Sequence, residues 1–217
     1  MTARSNHNNT VEKRPNGYQR RRQETRRQLM EAGRTLFVAR GVENVSIDAI
    51  TSTAGVAKGS FYNHFESREA LFDALVGETI ERLLEKRSRY NPAIEDPLDL
   101  ALARTWYSNY SLLSDPDACR LLLQAGSLST NEVIDNVLRE TLGDELTDGV
   151  ALGSLSHLDP QVVYAAYFGV LLSATGHLLS QGDALDPRAG ADQLTELIFA
   201  VLGLPHRPPP HLLDDNE

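Results

Sequence analysis

A cluster of hydrogen-bonding side chains lies within the segment KGSFYNHF, residues 58–65. If this segment is helical, Phe61 and Phe65 lie four residues apart and share one face, which they can press against a core. The rest of the surface is polar or small and carries Lys58, Gly59, Ser60, Tyr62, Asn63 and His64. Side chains of this kind suit the base edges and phosphates of a DNA major groove. The segment therefore predicts a DNA-reading helix.

The residues just before this segment predict a second short helix and a tight turn. Ser46 is a good N-cap, and Ile47, Ile50 and Ala54 then recur with helical spacing. Gly55 tolerates the positive φ that a sharp reversal requires. Two short helices joined by a turn indicate a helix-turn-helix, the second helix of which enters the major groove.

Over about residues 24–76, the sequence resembles the N-terminal domain of the TetR (tetracycline-repressor-like) family. The resemblance rests on Gly41, Ser46, the helix 47–53, AGV at 54–56, KGSFYNHF at 58–65 and SREALFDAL at 67–75. It implies an all-α homodimer in which a helix-turn-helix domain binds operator DNA. It also implies a divergent C-terminal helical domain that binds a small molecule and releases that DNA.

By this resemblance, the recognition helix carries Lys58, Ser60, Tyr62, Asn63 and His64, and Arg68 lies where the family places a basic phosphate contact. We add Ser46 and Gly59 to the predicted DNA-binding set, Gly59 because a residue without a side chain lets the backbone approach a partner. Asp48 is acidic where many relatives have a basic or polar residue.

The charge distribution supports a DNA-binding N-terminal part. The net charge is −9, from 21 Lys and Arg against 30 Asp and Glu. Residues 1–68 hold 12 of these basic residues and 6 of the acidic ones, so the N-terminal third is basic and the remainder strongly acidic. Such an asymmetry steers the basic end towards DNA.

The chain divides into four predicted segments within an all-α fold. These are a disordered basic arm (1–22), a three-helix DNA-binding domain (23–68), a helical effector-binding and dimerisation domain (69–204) and a disordered tail (205–217). The arm, with its Arg20–Arg22 run, is either a solvated tail or a contact to DNA. Beyond the helix-turn-helix, apolar periodicity and capping residues predict helices at about 24–40, 68–89, 97–113, 116–126, 131–142, 160–181 and 187–202.

The C-terminal domain offers candidates for a ligand pocket and for a dimer interface. Aromatic and polar residues that are candidates to line an effector pocket, each also a plausible core residue, are Trp106, Tyr107, Tyr110, Tyr164, Phe168 and Thr175. Small side chains recur at helical spacing on the helix 160–181, and the last helix has much apolar surface. The predicted interface residues are Ala165, Gly169, Ser173, Gly176, Leu194, Ile198 and Val201.

Other chemistry has little support in the sequence. Cys119 is the single cysteine, either a small buried residue or a redox sensor. We find no nucleophile elbow, phosphate-binding glycine loop or metal-ligand pattern, so we expect neither catalysis nor a metal or cofactor. The expected location is the cytoplasm, without membrane association, because no signal peptide or charge-flanked apolar span is evident.

Three functions remain open from the sequence. The first is a homodimeric repressor that a largely apolar small molecule releases from a palindromic operator. The second keeps the DNA-binding domain but makes the body a dimer or protein-interaction module without an effector. The third is an all-α enzyme. An enclosed apolar cavity in the body would favour the first over the second, and convergent titratable groups there would favour the third.

Overall fold

The computed structural model describes residues 17–90, 93–127 and 157–204, and within these ranges every regular element is helical. The helices are α1 (Gly17–Arg40), α2 (Ile47–Ala54), α3 (Lys58–Phe61), α4 (Arg68–Arg89), α5 (Pro97–Leu113), α6 (Pro116–Ser127), α7 (Pro160–Leu179) and α8 (Pro187–Val201). The all-α prediction is confirmed. Residues 1–16, the predicted helix 131–142 and the predicted tail from 205 lie outside the described residues.

The head, residues 17–75, is built around one apolar core to which α1, α2, α3 and the start of α4 all contribute. Its fully buried side chains include Leu29, Phe37, Ile50, Phe61 and Leu71. Gly33 lets α1 and α4 approach closely, since a Cβ on this residue would lie 2.8 Å from Leu71 Cδ2. This core fixes the orientation of α3, whose polar residues are therefore presented outwards by a rigid scaffold.

Local capping signals are confirmed where the sequence predicts helix starts. The Ala49 N–H donates to Ser46 Oγ, and the Ala70 N–H donates to Ser67 Oγ, each at 3.1 Å. Gly55 ends α2 with φ 68°, a left-handed conformation that favours glycine. Asp115 and Asp186 cap α6 and α8 in the same way, with their carboxylates accepting from Ala118 N–H and Arg188 N–H.

Two predicted helix boundaries in the head are wrong. α1 begins at Gly17 rather than at about Glu24, so residues 17–22 of the predicted arm are helical. α3 ends at Phe61 rather than continuing to Phe65. The N–H groups of His64 and Phe65 both donate to the carbonyl of Phe61, at 2.9 and 3.0 Å, which closes the chain into a turn. This turn still brings Phe65 into the core, where it is 5% exposed.

The longest connection between the head and the body is α4. Its first half contributes Phe72, Leu75 and Val76 to the head core, and its second half runs into the body. α6 also spans the boundary, because Leu121 and Ala125 are part of the head core. The two helices therefore join the head to the body through a continuous apolar core.

The body packs α5 against α8, with α7 beside them. Trp106 on α5 is 2% exposed, and its Nε1–H donates to Asp192 Oδ1 of α8 at 2.7 Å. One turn further on, Asn109 Nδ2 donates to Thr195 Oγ1 at 3.0 Å. These two bonds fix the register of α5 on α8. Within the described ranges, none of the helices has both the length and the hydropathy needed to cross a membrane.

Candidate functional sites

The first candidate site is the recognition surface, defined here as residues 58–64. Phe61 and Phe65 anchor it, since their side chains are 0% and 5% exposed. The Tyr62 ring stands edge-on to Phe61 with 5.5 Å between centroids, yet the residue is 55% exposed. Lys58, Gly59 and Asn63 are exposed, and Ser60 and His64 are half-buried. The fold thus brings the six predicted recognition residues onto one short surface element.

The other two predicted DNA-binding residues have clear internal roles. Ser46 is exposed, and its hydroxyl caps α2 as described above. The Arg68 guanidinium donates to the carbonyls of Glu43 and Val45 at 3.1 and 3.0 Å and binds the Glu69 carboxylate at 2.6 Å. Arg68 therefore ties the loop before α2 to the start of α4. Contacts of these two residues to phosphate stay predictions.

Two arginines of α1 that are not in the predicted DNA-binding set, Arg22 and Arg26, lie beside the recognition surface. The Arg26 guanidinium lies 4.4 Å from the ring centre of Phe65 and donates to the His64 carbonyl at 3.4 Å. Burial lowers the pKa of His64, and the charges of Arg22 and Arg26 lower it further, which favours the neutral imidazole. The spacing of these arginines on a helix that begins at Gly17 is the signal that could have identified them.

Lys58, the only lysine of the recognition surface, forms an ion pair with Asp48. Lys58 Nζ lies 2.8 Å from Asp48 Oδ1, and both side chains are more than half exposed. The hydrogen bond to Asp48 and its negative charge raise the pKa of Lys58. Because a phosphate would have to compete with Asp48 for the ammonium group, this carboxylate weakens binding to any DNA sequence.

We therefore expect Asp48→Asn to bind DNA more tightly. The exposed ion pair that it removes contributes at most about 1 kcal/mol, a factor of about five, and we expect affinity to rise by about two- to fivefold for operator and for unrelated DNA alike. Fluorescence anisotropy at several salt concentrations measures this, and the salt slope should steepen as Lys58 gains a phosphate. Glu81→Gln, which removes an exposed charge from α4, is the matched control. An unchanged affinity for both DNAs would contradict the inhibitory role of Asp48.

The second candidate site is a cavity of about 130 Å³ in the body, lined by residues of α4, α5, α6 and α7. Its wall is mainly apolar and includes Ile80, Leu84, Leu112, Leu122, Phe168 and Leu171. The polar part of the wall includes Arg87, Ser108, Asn109, Tyr167 and Thr175. A largely apolar cavity with a few polar groups is typical of a small-molecule site.

Only part of the predicted pocket lines this cavity. Phe168 and Thr175 do, whereas Trp106, Tyr107 and Tyr110 do not, and an effector contact of these three residues stays a prediction. Trp106 stacks on Tyr110 with 5.4 Å between ring centroids, and Tyr107 stacks on Tyr90 at 4.2 Å. The cavity instead meets the α5 face of Thr105, Ser108, Asn109 and Leu112. The side chain of Tyr164 lies outside the described residues.

Cys119 lines the cavity, and its thiol is buried and hydrogen-bonded. The residue is 0% exposed, and its Sγ–H donates to the Leu112 carbonyl at 3.1 Å. Burial raises the pKa of this thiol to about 12, and Asp115 adds to the effect. Because the thiolate is the reactive form, these observations favour the small buried residue over the redox sensor.

Gln124 on α6 binds the head directly. The Val42 N–H donates to Gln124 Oε1 at 3.1 Å, and Gln124 Nε2 donates to the Phe37 carbonyl at 3.0 Å. Leu122 and Leu123, the two preceding residues, line the cavity. One turn of helix therefore contacts both the cavity and the main chain at the end of α1.

Two of the predicted dimer-interface residues are buried within the single chain. Leu194 and Ile198 are only 1% and 2% exposed within a single chain, so neither side chain has surface left for a partner subunit. Gly176 faces α6, since a Cβ there would lie 3.7 Å from Leu123 Cδ2. The predicted residues Ala165, Gly169 and Ser173 are exposed, and Val201 is half-buried. The exposed faces of α7 and α8 also carry Val162 and Leu197. Leu194 and Ile198 lie one turn apart on the face of α8 that packs inside the subunit, which explains why they are not exposed.

Comparison with known proteins gives consistent matches. Residues 29–75 match the family model described as "Bacterial regulatory proteins, tetR family". The chain is 51% identical over 45 residues to the HTH-type transcriptional repressor DhaR of Mycobacterium sp. (strain GP1), a match that covers 21% of this chain and 23% of DhaR. It is 24% identical over 171 residues to the HTH-type transcriptional repressor Rv1474c of Mycobacterium tuberculosis, covering 75% of this chain and 85% of that protein.

The structural comparison extends the similarity in fold to the body. The crystal structure of NalD, the secondary repressor of the MexAB-OprM multidrug efflux pump in Pseudomonas aeruginosa, superposes with a TM-score of 0.61 at 22% identity. The superposition covers 84% of this chain and 97% of NalD. At this identity the likeness concerns the fold, which is thus shared well beyond the helix-turn-helix.

Proposed function

We propose that this chain is a member of the TetR family of bacterial regulatory proteins and a homodimeric repressor that a small molecule releases from a palindromic operator. The similar proteins are transcriptional regulators, which supports the expectation that the chain is not an enzyme. The dimer, the operator and the effector are parts of the proposal, because the curated match to DhaR spans only 23% of that protein.

One observation carries the DNA-binding part of the proposal. The recognition surface places an exposed tyrosine, lysine and asparagine over two buried phenylalanines, next to arginines of α1. An exposed aromatic ring that is held rigidly from below gives contact area at a small cost in conformational entropy. Two such heads in a dimer would read two major grooves about 34–36 Å apart on one face of the DNA.

The cavity favours a ligand-responsive repressor over a regulator whose body serves only for dimerisation or protein interaction. Ile80, Leu84 and Arg87 of α4 line it, and the same helix supplies Leu71 and Leu75 to the head core. A ligand that favours one position of α4 therefore changes the spacing of the two heads in the dimer. A typical coupling of about 1–3 kcal/mol would lower operator affinity by roughly 5- to 150-fold.

The exposed faces of α7 and α8 support dimerisation. Val162 is 60% exposed and Leu197 is 41% exposed, although both are apolar. Gly169 leaves open space beside α7, since nothing lies within 4 Å of the position of its Cβ. We propose that these faces pack against the same faces of a second copy, as small residues allow helices to approach closely.

Selection of genomic fragments by the purified full-length protein tests the DNA-binding proposal. The expected result is enrichment of one short palindrome, with half-sites about 10 base pairs apart from centre to centre or a multiple of this. Its binding constant should fall steeply with salt, since the slope is about −0.9 for each phosphate contact. Enrichment without any shared sequence would contradict a sequence-reading head.

A further inference from the structure

The cavity wall contains a buried hydroxyl group that a ligand can bind. We infer that the cavity binds a small uncharged molecule with an apolar body and one hydrogen-bonding oxygen, and that this oxygen bonds to Thr175 Oγ1. The ligand class rests on the proposed ligand-responsive function of the same cavity. It adds that the ligand is neutral and that its polar atom lies at the Thr175 end of the cavity.

Among the described residues, the Thr175 hydroxyl has no hydrogen-bond partner. The residue is 2% exposed and lines the cavity. A buried hydroxyl without a partner is rare and lowers stability, and a bound ligand atom would supply the missing bond. A threonine hydroxyl can both donate and accept, so either a hydroxyl or a carbonyl oxygen of a ligand can pair with it.

Two other side chains of the wall already donate their hydrogens within the protein. Ser108 Oγ donates to the Arg104 carbonyl at 2.8 Å. Cys119 Sγ donates to the Leu112 carbonyl at 3.1 Å. Thr175 differs from both, because its hydroxyl hydrogen and its oxygen are available to a ligand.

The described wall next to Thr175 is apolar. Gly176, the following residue, faces α6, since a Cβ on it would lie 3.7 Å from Leu123 Cδ2. Cys119, one turn before Leu123, packs in the same apolar cluster as Leu178. Burial raises the pKa of the Cys119 thiol to about 12, so the thiol is uncharged at neutral pH. A charged ligand group would be costly to bury in these surroundings, whereas a neutral oxygen needs only the bond to Thr175.

Arg87, the charged side chain among the described lining residues, lies towards the other end of the cavity face of α7. Burial lowers the pKa of Arg87 and raises that of Tyr167 to about 12, and each group also shifts the pKa of the other, which places them near one another. Thr175 is eight residues beyond Tyr167, about 12 Å along the helix at about 1.5 Å per residue. Arg87 has interactions of its own within the protein, and the ligand class does not depend on its charge.

The size of the cavity limits the ligand to about one ring. At about 130 Å³ it is close to an engineered cavity of about 150 Å³ that accommodates benzene. A water molecule is a poor occupant beside Thr175, because a buried water typically makes about three hydrogen bonds and leucine side chains offer none. A single ring or a short alkyl chain that carries one oxygen fills the volume and supplies the bond.

Three pairs of probes that differ by one oxygen atom test the ligand class. In each pair a carbon replaces the oxygen at nearly constant shape: phenol and toluene, benzyl alcohol and ethylbenzene, cyclohexanone and methylenecyclohexane. Calorimetric titration of the full-length protein gives the ratio of the affinity for the oxygen compound to that for its hydrocarbon. In Thr175→Val, which replaces the hydroxyl by a methyl group, this ratio should fall by about three- to tenfold for at least one pair. The hydrocarbons should bind the variant at least as tightly as the unmodified protein.

Two further variants and one anion complete the test. Thr175→Ser keeps the hydroxyl and should retain most of the preference for oxygen. Thr53→Val makes the same chemical change at an exposed position of α2 and should leave the affinity ratio unaltered. Benzoate should bind more weakly than benzyl alcohol, since its charge loses hydration against a mainly apolar wall. A ratio that Thr175→Val leaves unchanged in every pair, no binding of the three oxygen compounds, or tightest binding of benzoate would each overturn the inference.

Thermal unfolding shows whether the hydroxyl serves the fold instead. Without ligand, Thr175→Val should unfold at the same temperature as the unmodified protein or higher, because the variant removes a buried polar atom that has no bond to lose. A lower unfolding temperature together with an unchanged affinity ratio would assign the hydroxyl to the fold and contradict the inference.

Operator binding separates the ligand class from the proposed function. If an oxygen compound binds through Thr175 while operator affinity does not change, the ligand class holds and the release mechanism is wrong. If operator binding and its sequence preference are intact while none of the oxygen compounds binds, the DNA-binding function holds and the ligand class is wrong.

Discussion

Replacing Tyr62 by alanine should lower operator affinity by about 30-fold, the effect of a typical interface hot spot of about 2 kcal/mol. Tyr62 is the most exposed large apolar side chain of the recognition surface, at 55%, and the buried Phe61 holds its ring edge-on. Losing the ring removes contact area on DNA and leaves the head core unchanged. The unfolding temperature of Tyr62→Ala should therefore stay within about 2–3 °C of that of the unmodified protein.

Two further variants accompany Tyr62→Ala: the first tests the hydroxyl group of Tyr62, and the second is a control. Tyr62→Phe retains the ring, and a loss of about fivefold would assign the hydroxyl a bond to DNA worth about 1 kcal/mol. Leu158→Ala removes an exposed apolar side chain from the body and should leave operator affinity unchanged. If Tyr62→Ala binds the operator within about threefold of the unmodified protein, residues 58–64 are not the principal reading element.

Replacing Gln124 by alanine should lower the free energy of unfolding by about 1–3 kcal/mol, because a part-buried main-chain donor and a part-buried main-chain acceptor lose their partner. The groups concerned are the Val42 N–H, at 3.1 Å from Gln124 Oε1, and the Phe37 carbonyl, at 3.0 Å from Nε2. Phe37 is fully buried and Val42 is 5% exposed, so water replaces these bonds poorly. Urea denaturation measures this loss.

Gln124→Ala should also weaken communication between the cavity and the head. The two leucines before Gln124 line the cavity, so movement of α6 on ligand binding would pull on the end of α1 through these bonds. The factor by which a bound ligand lowers operator affinity should shrink by at least about threefold, or roughly 0.7 kcal/mol of coupling. Gln181→Ala, at an exposed glutamine in the body, is the matched control. An unchanged factor in Gln124→Ala would mean that α4 alone carries the coupling.

The sequence predicts the head well because its signals are local. A serine cap, an apolar triplet and a glycine at a left-handed position each act within a few residues, and Ser46 and Gly55 have the predicted roles. The end of α3 is not predictable in this way. The helix stops at Phe61 because the following turn must bring Phe65 into a core formed by distant residues.

The body is less predictable because it depends on which face of each helix meets which neighbour. α5 is buried on two sides: Trp106 and Asn109 bond to α8, while Ser108 and Leu112 line the cavity. Periodicity shows that both are buried but not what each contacts. In the same way, Arg87 reads as one charge among several on α4, and only the fold shows that it faces the cavity.

The measurement that tests the central claim most directly is the affinity of the cavity ligand with and without operator DNA. We propose that the cavity and the recognition surface are coupled through α4 and α6. The affinities for the ligand and for the operator must then change by the same factor. We predict that saturating operator weakens ligand binding by the factor by which saturating ligand weakens operator binding, between about 5- and 150-fold. Identical ligand affinity in the presence and absence of operator would contradict the account, because the cavity and the recognition surface would then be independent.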